Sequence, residues 1–239
     1  MLSGGRRLPP DAAARAVRYV RAQRRPDGLW DYDPRLGVPP DSDATACALA
    51  VLRLHEYPLD ATADASLLRR FWRTGAGPFR SWSDTGMWAL PERDDPVVNC
   101  NIIYALGLLG VPATAAERAS VQRLLRGSVE GARYYCAPST ITHAAHRAGL
   151  GRGDLPPIAA APPPTADLMG CVEWLCAMPE HDPEMLTAVL AAQRPDGSWP
   201  IANWVTAVGR PTPYWGSPAL TTAFAIEALG GTSSGGKAA

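Results

Sequence analysis

The sequence predicts an all-α fold: an α/α toroid (barrel) of alternating inner and outer helices, a single domain over residues 1–230 with a disordered tail at 231–239. Three observations predict it. Amphipathic segments alternate with segments that are apolar nearly all round, and a helix apolar on every side needs neighbours on every side. A turn-rich element, QRRPDGLW at 23–30, returns as QRPDGSW at 193–199, and internal repeats decide a fold before local propensities do. No run sustains the two-residue alternation of a strand, apart from short extended pieces between Trp199 and Val208.

Residues 11–24 (DAAARAVRYVRAQR) read as an outer helix with Ala14, Val17, Tyr19 and Val20 as its apolar set. Residues 43–57 are apolar on nearly every side until His55 and read as an inner helix. Segments 63–73 and 113–126 are charged and amphipathic, hence outer. Segments 97–109 (VVNCNIIYALGLL) and 137–148 are apolar or small, hence inner, as is 165–178 (TADLMGCVEWLCAM). An amphipathic helix at 182–193 and an apolar one at 217–229 (SPALTTAFAIEAL) close the series. The stretch 150–165 is rich in Pro and Ala and reads as a loop, with at most a degenerate helix over 155–161. A weaker third copy of the turn, GPFRSW at 77–82, precedes the helix at 97.

The repeated turn has a structural reading. Pro-Asp-Gly is turn chemistry, with Gly28 and Gly197 in the left-handed conformation that ends a helix. Gln23 and Gln193 cap the helix end with their amides. Trp30 and Trp199 supply broad surfaces for packing between hairpins.

Composition narrows the function classes. Lys plus Arg equals Asp plus Glu, 23 each in 239 residues, so neither a basic stripe for nucleic acid nor an acidic tail is expected. No window reaches the roughly 18 uninterrupted apolar residues of a membrane span, and the first residues hold no apolar run, so no integral membrane segment, no secretory signal and a cytoplasmic location are expected. The five cysteines include no CxxC pair, and no histidine stands at ligand spacing from a cysteine, so no metal site is expected.

The repeated QRPDGSW-type turn within an all-helical alternation resembles the prenyltransferase and squalene-oxidocyclase repeat superfamily, over roughly residues 10–230. Within it, DSDATA at 41–46 resembles the acid motif of the class II terpenoid cyclases (squalene–hopene and oxidosqualene cyclase-like), which reads Asp-x-Asp-Asp-Thr-Ala or, in one branch, Ser-Asp-Cys-Thr-Ala. Asp43 matches the central, proton-donating aspartate, Asp41 the first, and Thr45 and Ala46 the tail. Ala44 departs from the first version and fits the second. Those enzymes usually carry two helical domains with the cavity between them, whereas this length suits one. Other branches fit less well: there is no Asp-x-Cys zinc motif, no Gly-Cys-Gly-Glu-Gln thioester motif and no Cys-His-Gly motif, and Asp94-Asp95-Pro96 is a poor magnesium motif.

The resemblance implies an isoprenoid or isoprenoid-bearing apolar small molecule as substrate, cyclised through cations without a cofactor. Starting such a cascade needs a strong acid in a dry place. Two carboxyls one residue apart cannot both ionise cheaply when buried, so Asp41 and Asp43 would share a proton. Cations are stabilised over aromatic faces by about 0.5–2 kcal/mol each, and Trp88, Tyr135, Trp174, Tyr214 and Trp215 are the candidates, with Asn99 and Asn101 to orient a hydroxyl or water. His143 is the candidate base for the final deprotonation, with His146 three residues on. A plainer reading stands beside each of these. Asp41, Ser42 and Asp43 are all good first-turn residues, Asp94 and Asp95 suit a helix start before Pro96, and the histidines and aromatics suit a core. On that reading the chain is a non-catalytic helical module for an apolar ligand or protein partner. A homodimer, or pairing with a second cyclase subunit, is a further expectation, because one domain encloses little.

Overall fold

The computed structural model describes residues 10–32, 39–73, 77–83, 94–127, 134–135, 138–151, 153, 167–178, 182–206 and 214–231. Trp88, the 155–161 segment and the tail from 232 lie outside them. The described residues form nine α-helices and two strands of two residues each. All nine expected helices are present, within a few residues of their expected ends. No described helix is long and apolar enough to cross a membrane. The chain divides into two compact units, Gly4–Gly127 and Ser128–Ala239.

The first unit holds α1 (Pro10–Ala22), α2 (Ser42–Leu54), α3 (Ala61–Arg69), α4 (Pro96–Leu108) and α5 (Ala115–Gly127). The two apolar helices, α2 and α4, pack along each other, while α1 and α3 flank α2 and α5 lies on α4. Leu49, Leu52, Ile102 and Leu106 are fully buried. The outer helix α1 buries no residue completely, as its Arg-rich sequence requires. Aspartates start three of these helices. Asp41, Asp60 and Asp95 each accept from backbone N–H groups of the following turn, satisfying donors that have no partner within the helix. Arg69 reaches from α3 to Glu117 on α5, with Nε 2.9 Å from Oε1.

The second unit holds α6 (Pro138–Arg147), α7 (Leu168–Ala177), α8 (Pro183–Ala191), β1 (Val205–Thr206), β2 (Tyr214–Trp215) and α9 (Pro218–Gly231). Here α7 is central and touches α6, α8 and α9. Met169, Val172, Leu175, Met185, Val189, Trp199 and Phe224 form its core. β1 and β2 pair antiparallel, Val205 opposite Trp215 and Thr206 opposite Tyr214, and Tyr135 bridges to Val205. Between β2 and α9 a glycine is required. A Cβ on Gly216 would stand 1.9 Å from the carbonyl oxygen of Ala202.

The repeated turn is the same device in both units. Gly28 and Gly197 take φ +86° and +82°, the left-handed region that disfavours other residues. Gly28 N–H donates to Arg25 O, and Gly197 N–H to Arg194 O. Gln193 Nε2 donates to Gly197 O at 3.0 Å, the expected cap. In the first unit the matching bond comes from Arg24, whose Nε donates to Gly28 O at 3.1 Å. One inserted arginine thus takes the role expected of Gln23.

Candidate active site

The DSDAT segment is threaded between two extended pieces. Asp41 N–H donates to Trp30 O, Ser42 N–H to Ser81 O and Ser83 N–H to Pro40 O. Ser42 Oγ donates to Arg80 O at 2.7 Å. Thr45 Oγ1 donates to Asp41 O at 2.8 Å and accepts from Trp30 N–H at 3.2 Å. Ser42 and Thr45 are therefore consumed by architecture.

The two carboxyls are engaged differently. Asp41 is 4% exposed. Its Oδ1 caps α2 by accepting from Ala44 N–H at 2.7 Å. Its Oδ2 is buried and finds no hydrogen-bond partner among the described residues. Loss of water around this carboxyl, reinforced by the charge of Asp43, pushes its pKa from 3.8 to about 8. Asp41 therefore holds a proton at neutral pH. Asp43, in the first turn of α2, is only partly buried. Asn101 on α4 donates its amide N–H to Asp43 Oδ1 at 2.8 Å, and Cys47 Sγ lies 4.0 Å from the same oxygen. The site is thus one neutral carboxyl, one amide-anchored carboxyl and the N-terminal end of α2, whose partial positive charge favours a carboxylate.

Asn99 and Asn101 part company. Asn99 is fully buried, accepts from Phe79 N–H and donates to Phe79 O and Asp95 O. Its amide is spent on holding the third turn copy to α4. Asn101, two residues on, reaches Asp43 instead. Sequence reasoning named Asn101 but gave it a hydroxyl or water to orient. The α2–α4 packing that brings it to the acid is invisible in the letters. Asp95 caps α4, as its place before Pro96 suggests.

In the second unit the predicted residues sort differently. His143 is 4% exposed, whereas His146 is exposed, so the pair does not share an environment. Burial holds the His143 pKa down at about 4, so its imidazole is neutral. Its Nε2 lies 3.8 Å from Glu227 Oε1, and its ring meets Phe224 edge-on at 5.4 Å. Tyr135 is buried and meets Trp204 edge-on at 5.3 Å, and Trp204 lies 5.9 Å from Phe224. Trp174 is partly buried against the core of this unit. Tyr214 and Trp215 form β2.

Sequence reasoning missed two clusters here. Glu173 is fully buried and accepts from Thr140 Oγ1 at 2.7 Å, Ser139 Oγ at 3.2 Å and Trp204 Nε1 at 3.0 Å. Burial raises its pKa to about 7 against those three bonds. The second cluster is His143, Cys176 and Glu227, whose ligand atoms all lie within 4.8 Å of one another. Its members stand on α6, α7 and α9, far apart in sequence, so a search for short ligand spacings passes over them.

No family model matches the sequence, and no curated protein matches it. Solved structures do. The chain superposes on the type II terpene cyclase MstE from Scytonema, in its apo form, with a TM-score of 0.63 at 16% identity, over 92% of this chain and 80% of that one. A Tyr-to-Phe variant of MstE, also apo, gives 0.64 at 16% identity over 93% and 81%. At that identity the likeness establishes a common fold, the all-helical fold of a type II terpene cyclase.

Proposed function

We propose that the chain is a class II terpenoid cyclase-like enzyme, which protonates an isoprenoid or isoprenoid-bearing substrate with Asp43 as general acid and cyclises it through carbocations. The observation that carries this reading is the Asp41–Asp43–Asn101 arrangement at the head of α2. The fold shared with a type II terpene cyclase supports it. Capping explains one oxygen of Asp41 and nothing about its second oxygen or Asp43.

The chemistry follows from the geometry. With Asp41 neutral near pH 7, a proton is stored beside Asp43, and the two carboxyls share it. Asp43 then gives its proton to one carbon of the alkene, or to the oxygen of an epoxide, and the cation forms on the substrate. The Asn101 N–H on Oδ1 and the end of α2 stabilise the carboxylate left behind, which strengthens the acid. Ring closure consumes the neighbouring double bonds, and loss of a proton from carbon ends the sequence. The net change is an isomerisation that consumes no redox equivalents.

The test is turnover in deuterated water, comparing wild type with Asp43→Asn, using linear isoprenoids, their epoxides and prenylated aromatics, with products read by mass spectrometry. A cyclised product is expected that is absent with Asp43→Asn and that, where an alkene is protonated, carries one solvent deuteron on carbon. Product formed equally by Asp43→Asn would remove Asp43 as the acid.

A further inference from the structure

We propose that His143, Cys176 and Glu227 bind one divalent transition-metal ion of the Zn²⁺ type, with a fourth position open to water or an oxygen ligand. The three side chains come from α6, α7 and α9 and converge with their ligand atoms within 4.8 Å. Around a tetrahedral zinc ion with bonds of about 2.0–2.3 Å, donor atoms stand roughly 3.3–3.8 Å apart. The His143–Glu227 pair is already at 3.8 Å. Closing the thiol onto that pair takes a movement of about 1 Å, within the reach of side-chain rotation.

The donor set selects the ion. An imidazole and a thiolate suit zinc and its neighbours, whereas magnesium and calcium take oxygen ligands almost alone. Charge points the same way. A Cys176 thiolate and a Glu227 carboxylate bring two negative charges into a largely buried place, and a dication cancels both. Arg147 and Glu173 also act electrostatically on Cys176, in opposite directions. The site is also held in place. The His143 ring is braced edge-on by Phe224, and among the described residues Cys176 Sγ makes a single long contact of 3.6 Å, to Phe224 O, so the sulfur gives up little on turning to a metal. Three protein ligands and an open position match zinc sites that polarise a bound ligand rather than closed structural ones. All three residues lie in the second unit, and Asp41, Asp43 and Asn101 in the first.

The test uses the full chain, stripped with chelator and titrated with Zn²⁺ and, as a spectroscopic probe, Co²⁺. One ion per chain is expected to survive gel filtration, with cobalt giving the intense visible bands of a tetrahedral site and a thiolate-to-cobalt charge-transfer band. Cys176→Ser should abolish the charge-transfer band and weaken binding by on the order of 100-fold. Glu227→Gln should weaken binding while keeping that band. Far-ultraviolet circular dichroism checks that both variants remain helical. A chain that retains no metal, or binds it with a spectrum and affinity unchanged in folded Cys176→Ser, overturns the proposal and leaves the cluster a neutral imidazole beside a carboxyl and a thiol. Neither result depends on cyclase turnover.

Discussion

Trp30 and Trp199 each send an indole N–H back ten residues to a carbonyl, Val20 O at 2.8 Å and Val189 O at 2.7 Å. Each also donates its backbone N–H to a threonine hydroxyl oxygen, Thr45 at 3.2 Å and Thr222 at 3.0 Å. Beyond that point the two copies diverge. At the head of α9, Ser217 Oγ accepts from Leu220 N–H at 3.0 Å. At the head of α2, Asp41 does the same work with one oxygen, and its second, buried oxygen has no hydrogen-bond partner among the described residues. The second copy shows what the fold needs there, a single small cap. The first copy carries two carboxyls more than the fold requires, and leaving a buried polar atom unpaired costs about 1–3 kcal/mol. A single cap accounts for the head of α9 and leaves Asp41 Oδ2 and Asp43 outside its account at α2.

The sharpest way to break this comparison is Asp43→Asn. Its turnover should fall by roughly 10²–10⁴-fold, the worth of a placed general acid, with the thermal midpoint nearly unchanged. If turnover and stability fell together, Asp43 would be architecture, like the threonines. Next come Trp30→Ala and Trp199→Ala, each expected to lower unfolding free energy by about 3–5 kcal/mol in denaturant titrations. Equal losses would confirm that the two turns do equal structural work.

Asp41→Ser gives the first copy the cap of the second. It should raise stability by about 1–3 kcal/mol at neutral pH while lowering turnover. It should also change the pH dependence. Between the ordinary carboxyl value of 3.8 and the folded value of about 8, the folded chain keeps a proton that the unfolded chain has lost. Stability therefore falls as pH rises through that window, and Asp41→Ser should remove this part of the slope. The part due to Glu173, which runs from 4.5 to about 7 with the same sign, should remain. The smallest effects are expected for Gly28→Ala and Gly197→Ala, about 1–2 kcal/mol each for a side chain in the left-handed region. Gly28→Ala should be the worse, since its new Cβ meets Leu67 Cδ1 at 2.8 Å, whereas the nearest atom at Gly197 is Gln193 Nε2 at 4.0 Å.

Much of this was legible in the sequence because the helices announce themselves by period and the turns by Pro, Gly and Trp. Asp41 and Asp43 were legible because DSDATA resembles a known acid motif and stands just after the first copy of the turn. Asn101 was not, since its role depends on which face of α4 meets α2, and α4 is apolar enough all round to conceal a facing direction. The Cys176 and Glu227 partnership with His143 was hidden for a related reason. Three helices supply one residue each, and no local pattern marks a convergence that only packing creates.

Gly216 sets a rule for anyone who would evolve this chain. Because any side chain there would overlap the Ala202 carbonyl, a library randomised from 214 to 217 should return glycine in one column however weak the selection. The passage from β2 into α9 is a fixed joint.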